Sequence, residues 1–230
     1  MAQFQLFRIR VERPEQPDLR DRKRSPRELL VEAIKERPEA ELYRGSVWHI
    51  GNIAEIDDQA LYFRVGRVKE AQVEKFKGGD FVDQESDVAP YTHAILDVPL
   101  QMCAIGSNTK VANTIEDIAN RLARLLGNST IGVELGYSFV SSSVKDPKPF
   151  LSHVREAHRI ESYRVTFSPP NILDAERDFF GPFSRYAEAA NAKKGETQVT
   201  GESLDKEAIE DVTRTAASAG EDASAKLVPE

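Results

Sequence analysis

The sequence predicts an α+β protein: a mixed, mostly antiparallel β-sheet with helices packed on one of its faces as a two-layer sandwich. Three observations predict it. Phe7, Ile9 and Val11 alternate with Arg8 and Arg10, the period of a strand with one buried and one wet face. Residues 43–56 and 60–68 read as two strands joined across Asp57-Asp58, with Leu61, Phe63 and Val65 on one side, which is a hairpin and therefore an antiparallel pair. Val111, Ile115, Ile118, Leu122 and Leu125 recur at three and four residues, so they form one helical face that must be buried against a sheet.

The remaining elements follow in chain order. The first strand should end near Arg13-Pro14, and the charged, proline-punctuated segment 14–24 suits a loop. Ser25-Pro26 reads as an N-cap followed by proline at the first helical position; Leu29, Leu30, Ala33 and Ile34 supply the apolar stripe, and Arg37-Pro38 the stop. Residues 69–90 are polar, contain Gly78-Gly79-Asp80, and read as a connection. Residues 91–105 form one apolar run of β type. Thr114 caps the next helix, with Glu116 and Asp117 in its first turn and Gly127-Asn128 as a left-handed stop. Residues 130–141 alternate as a strand, Pro149 opens a helix through Leu151 and Val154, and residues 160–167 form another strand. Pro169-Pro170-Asn171 ends the regular pattern, and Phe179, Phe180, Phe183 and Tyr186 mark an amphipathic stretch that packs back on the body. Ser203 is placed to cap a final helix that stops at Gly220, and residues 225–228 begin a strand. The expected organisation is an α+β domain over residues 1–190, with room for a sub-boundary near 70–90, and an acidic, alanine-rich segment with one helix over 191–230.

Composition narrows the function classes. The hydrophobic content of 40% supports a real core over most of the 230 residues. A net charge of -7 argues against a generally cationic nucleic-acid coat but leaves room for a local basic face. Cys103 is the only cysteine, which precludes an intrachain disulfide and a thiolate-rich metal site and points to a reducing cytoplasm. Gln3, Gln5, Arg8 and Arg10 interrupt the apolar residues near Met1, and no apolar run reaches the ~20 residues of a membrane helix, so neither secretion nor membrane insertion is expected.

No catalytic constellation emerges. His153 and His158 are five apart, not the i, i+4 pair of a helical zinc site, and His49 and His93 read as structural strand residues. Asp57-Asp58 is better explained as a turn, and Asp97 and Glu134 are the carboxylates that a metal-dependent phosphodiesterase or nuclease would use. Gly106 to Lys110 stands where helix N-terminal amides bind anions, making Ser107, Asn108, Thr109 and Lys110 candidate anion ligands, although the spaced glycines of a phosphate loop are missing. No cofactor is expected. Arginine placement is the stronger signal: Arg8, Arg10, Arg64 and Arg164 each alternate with apolar neighbours, and on adjacent strands they would share the solvent face of one sheet. Tyr62 and Ser162 would stand among them, and Arg20, Arg22, Lys23, Arg24 and Arg27 would add basic charge. The expectation is a non-catalytic binding subunit that contacts a protein partner, another copy of itself or a nucleic acid through this face. The alternatives are the metal-dependent enzyme and a subunit of a microbial toxin or antiviral defence system.

Overall fold

The computed structural model describes residues 3–12, 14, 24–43, 45–167, 180–190, 192 and 194–229. The fold is α+β, and the chain divides into two compact units, Met1–Ser141 and Ser142–Glu230. In the first unit the order is β1 (Phe4–Glu12), α1 (Pro26–Lys35), β2 (Glu39–Tyr43), β3 (Ser46–Asp57), β4 (Ala60–Lys77), β5 (Asp80–Val88), β6 (Tyr91–Asp97), β7 (Met102–Gly106), α2 (Ile115–Leu126), α3 (Thr130–Val133) and β8 (Ser138–Ser143). The strands join in the order β2-β3-β4-β6-β7-β1-β8, with β5 paired to β4 off this path.

Alternation decides which face is covered. Phe7, Ile9, Trp48, Ile50, Leu61, Phe63, Val65, Leu96 and Ile105 are buried on one side against Leu29, Leu30, Ala33 and Ile34 of α1 and Ile118, Leu122, Leu125 and Leu126 of α2. Each such side chain removed from water contributes about 1.5–3 kcal/mol before entropy is counted. The helices start as their sequences dictate. The Ser25 hydroxyl accepts from the Glu28 amide while the Glu28 carboxylate accepts from the Ser25 amide, and the Thr114 hydroxyl accepts from the Asp117 amide.

Several expectations are corrected. Residues 91–105 are not one strand but the hairpin β6–β7, turning through Gln101 at φ 52°. Residues 69–90 are not a plain connection: β4 runs on to Lys77 and pairs with β5 through the turn at Gly78 and Gly79, both at positive φ. The residues after 129 form the short helix α3, so Glu134 caps a helix and is not on a strand. Gly127 is right-handed, at φ -63°, because α2 passes almost directly into α3; a side chain on Gly132 would meet the Gly127 carbonyl oxygen at 2.1 Å.

The second unit contains α4 (Lys148–Glu156), β9 (Arg159–Phe167), α5 (Phe180–Ala189), β10 (Gly195–Thr200), α6 (Lys206–Ala219) and β11 (Ala223–Val228). Its sheet is separate, with antiparallel order β10-β9-β11, and it encloses Val154, Ile160, Tyr163, Val165, Phe167, Ile209 and Ala216. Asp205 caps α6, where Ser203 was expected, because its carboxylate reaches the Ala208 amide; Gly220 ends the helix at φ 74° as its position requires. The expected terminal strand is β11, which begins at Ala223 and pairs with β9. Among the described residues, no helix is long and apolar enough to cross a membrane. Pro169-Pro170-Asn171 and Phe179 lie outside the described residues.

Candidate interaction surface

The face of the eight-stranded sheet opposite α1 and α2 carries a cluster built by β4 and β6. Their antiparallel register sets Tyr62 across from Ile95, Arg64 across from His93 and Gly66 across from Tyr91. Residues at even positions of β4 and odd positions of β6 therefore emerge on this face, while Leu61, Phe63, Ala94 and Leu96 are buried on the other. Arg64 Nε donates to the Tyr62 hydroxyl at 3.1 Å, and that hydroxyl lies 2.8 Å from His93 Nδ1. The Arg64 guanidinium carbon sits 4.3 Å from the centre of the Tyr91 ring, whose edge meets His93. Its bond to Tyr62 raises the Arg64 pKa above the usual arginine value, so the side chain stays cationic. Gly66 makes room for Tyr91, since a Cβ there would stand 2.5 Å from the Pro90 carbonyl oxygen and 2.9 Å from Tyr91 Cα.

Apolar side chains share this face on the side toward β1. Leu6 is level with Ala104, and Ala104 with Ile95, so one row runs Leu6, Ala104, Ile95, Tyr62 across four strands. Phe4, Leu6, Tyr91 and Ile95 are each 40% exposed or more, an apolar patch left uncovered within the unit. A shallow cavity of about 310 Å³ adjoins it, lined among others by Phe4, Tyr91, His93, Ser107, Asn108 and Lys110.

The four predicted arginines do not share one face. Arg64 stands at the centre of the cluster. Arg8 points to the same side of the sheet but is buried, at 1% exposure, and Arg10 is half-buried. Arg164 belongs to the second sheet, where it pairs with Glu196 at 3.3 Å and donates to Gln198 at 3.0 Å. Of the basic segment, Arg20, Arg22 and Lys23 lie outside the described residues, while Arg24 donates to Glu32.

The expected anion loop is also displaced. Ser107 to Lys110 end well before α2, whose amides are capped by Thr114; Asn108 donates to the Tyr91 carbonyl and accepts from the Lys110 amide, and Arg67 donates to the Lys110 carbonyl. Thr109 is exposed. Asp97 accepts from the Leu100 amide at the β6–β7 turn, and exposed Glu134 ends α3, so neither interrupts a strand interior. Asp57 accepts from the Gln59 amide as a turn residue should. Among the described residues, no three His, Cys, Asp or Glu side chains come together to hold a metal ion. Tyr91, His93, Ile95, Phe4 and Leu6 were missed as surface residues. The available signal was that Thr92, Ala94 and Leu96 alternate with them, a half-wet pattern hidden inside a run that looked uniformly apolar.

The chain matches no family model and, in sequence, no curated protein.

Proposed function

We propose that this chain is a non-catalytic interaction subunit, acting in a reducing cytoplasm, that contacts a protein partner through the open face of its eight-stranded sheet. The observation that carries this reading is Arg64, held by Tyr62 and Tyr91 on a face that also exposes Ile95 and, three strands away, Phe4 and Leu6. An arginine held between two tyrosines, on a face that also exposes aliphatic side chains, has the composition of an interface core, where a few such anchors carry most of the affinity. A protein partner is favoured over nucleic acid by charge. Along β4 and β5 the same face runs into exposed Glu70, Glu74, Asp83, Glu85 and Asp87, which would repel a phosphate backbone.

Photo-cross-linking from position 95 in cells tests the reading, with exposed Ile56 as the control position. A protein adduct formed from position 95 and not from position 56 is expected. Adducts to nucleic acid, or equal yields from both positions, would overturn it.

A further inference from the structure

The register of β4 is continuous from β6 into β5: Ala60 faces Asp97, Gly66 faces Tyr91, Lys69 faces Val88 and Lys77 faces Asp80 without a shift. Residues 60–97 are therefore one long hairpin, and its outer half extends past Val68, the last β4 residue that β3 pairs with. Its open face reads in rows from the sheet outward: Tyr62 with Ile95, Arg64 with His93, Gly66 with Tyr91, then Val68 level with Ala89 by continuity of that register, Glu70 with Asp87, Gln72 with Glu85, Glu74 with Asp83, and Phe76 with Phe81. The base is cationic and aromatic, and the outer rows hold five carboxylates without a lysine. Lys69, Lys75 and Lys77 all lie on the opposite face. The tip is a pair of phenylalanines, 66% and 82% exposed, with ring centres 5.1 Å apart.

By itself this is a poor arrangement. Two-stranded ribbons are marginal in water, and Glu70 across from Asp87 and Glu74 across from Asp83 are like charges placed directly opposite each other. We propose that the occupant of this face is the same face of a second copy, in a two-fold dimer; this rests on the reading of the open face as a protein-binding surface. The row order is self-complementary. With the two-fold axis between the Val68 and Glu70 rows, Arg64 and His93 of each copy face Glu74 and Asp83 of the other. Tyr62 and Ile95 then meet Phe76 and Phe81. Each contact recurs by symmetry, as an isologous interface requires. The area is adequate: an 18-residue ribbon at ~3.4 Å per residue and roughly 10 Å wide offers about 600 Å² per copy, hence about 1,200 Å² in total, the lower bound of specific interfaces. Packing onto the Arg64 row neutralises Glu74 and Asp83 and covers the phenylalanines, while Glu70 and Asp87 face Val68 and Ala89 and gain no cation.

Sedimentation of the full chain over a concentration series, at low and at high salt, tests the proposal. A dimer that weakens with salt is expected. Arg64→Glu should weaken association by ~10-fold or more, and so should Glu74→Arg. The latter does not endanger folding, because it replaces facing carboxylates with an opposite-charge pair. Combining the two substitutions in one chain exchanges the charges and should restore association to within ~3-fold of the original. Phe76→Ser with Phe81→Ser, at an exposed tip, should give monomers. A chain that stays monomeric at every concentration overturns the dimer. The sheet-face reading survives that result if position 95 still cross-links to a different protein, and falls with it if position 95 yields no protein adduct. A dimer indifferent to the tip substitutions and not rescued by the charge exchange overturns the proposed face.

Discussion

Arg64 and Tyr91 meet on the open face of the sheet although they belong to different strands, the guanidinium carbon 4.3 Å from the ring centre. The contact is diagonal, since Arg64 is level with His93 and Tyr91 with Gly66. With the Tyr62 hydroxyl accepting from its Nε, Arg64 is held in one orientation before any partner arrives, which lowers the ordering cost of binding.

Tyr62→Phe should separate positioning from folding. It removes the acceptor of Arg64 Nε and the hydroxyl's hydrogen bond with His93 Nδ1 at the surface, so stability falls by about 1 kcal/mol or less. Association through the face should weaken more than that stability loss accounts for. Thermal unfolding and sedimentation of the same sample decide it; equal effects on both would mean that Tyr62 only supports the sheet.

Gly66→Ala tests the close approach of β4 to β6. The added methyl meets backbone at Pro90, which has no flexible end to give way, so the strands must part. A loss of about 1–3 kcal/mol is expected from overpacking, measured by denaturant unfolding, together with displaced Tyr91 and His93 signals in NMR spectra.

Cys103 is fully buried in β7, and burial pushes its thiol up to about 12. At pH 8 it remains protonated and should not react with a thiol reagent while the protein is folded, then react once per chain in denaturant. Rapid labelling of the native protein would show that β7 opens locally.

In the second unit three carboxylates titrate below their ordinary values. Glu161 is lowered chiefly by its hydrogen bond with Lys226, Glu210 by that with Arg155 and Asp222 by that with Lys145. A lowered folded pKa means that the stabilisation is complete above the ordinary values of 4.5 for glutamate and 3.8 for aspartate, and is lost as pH falls through the lowered ones. The melting temperature of this unit should therefore hold between pH 7 and about 5 and drop below about 4. Lys145→Met together with Lys226→Met should flatten that drop, and added salt should do so in part, because these pairs are exposed.

The helices were legible at the level of single residues. Ser25, Pro26 and Glu28 define the start of α1, and Thr114 that of α2, because caps act over three residues. Strands were legible where one face is buried, as in Phe7, Ile9 and Val11. The outer half of β4 was not, since both of its faces are largely free of a core and its hydrogen bonds leave no hydrophobic period for a reader to find. The arginine cluster failed for a different reason. Alternation places Arg64 and Arg164 correctly on the outer sides of their strands, but it carries no information about whether those strands share a sheet.

The amino-acid order alone determined what depends on near neighbours: the α+β class, the helix starts, the Asp57 turn and the side of each strand that faces the core. Only the tertiary structure decided which strands lie together, and so separated Arg164 from Arg64, buried Arg8 and joined residues 60–97 into one ribbon. The physical reason is range. Caps, turns and periodic stripes arise from groups a few residues apart, whereas strand neighbours are chosen by the packing of the whole core, to which every distant segment contributes.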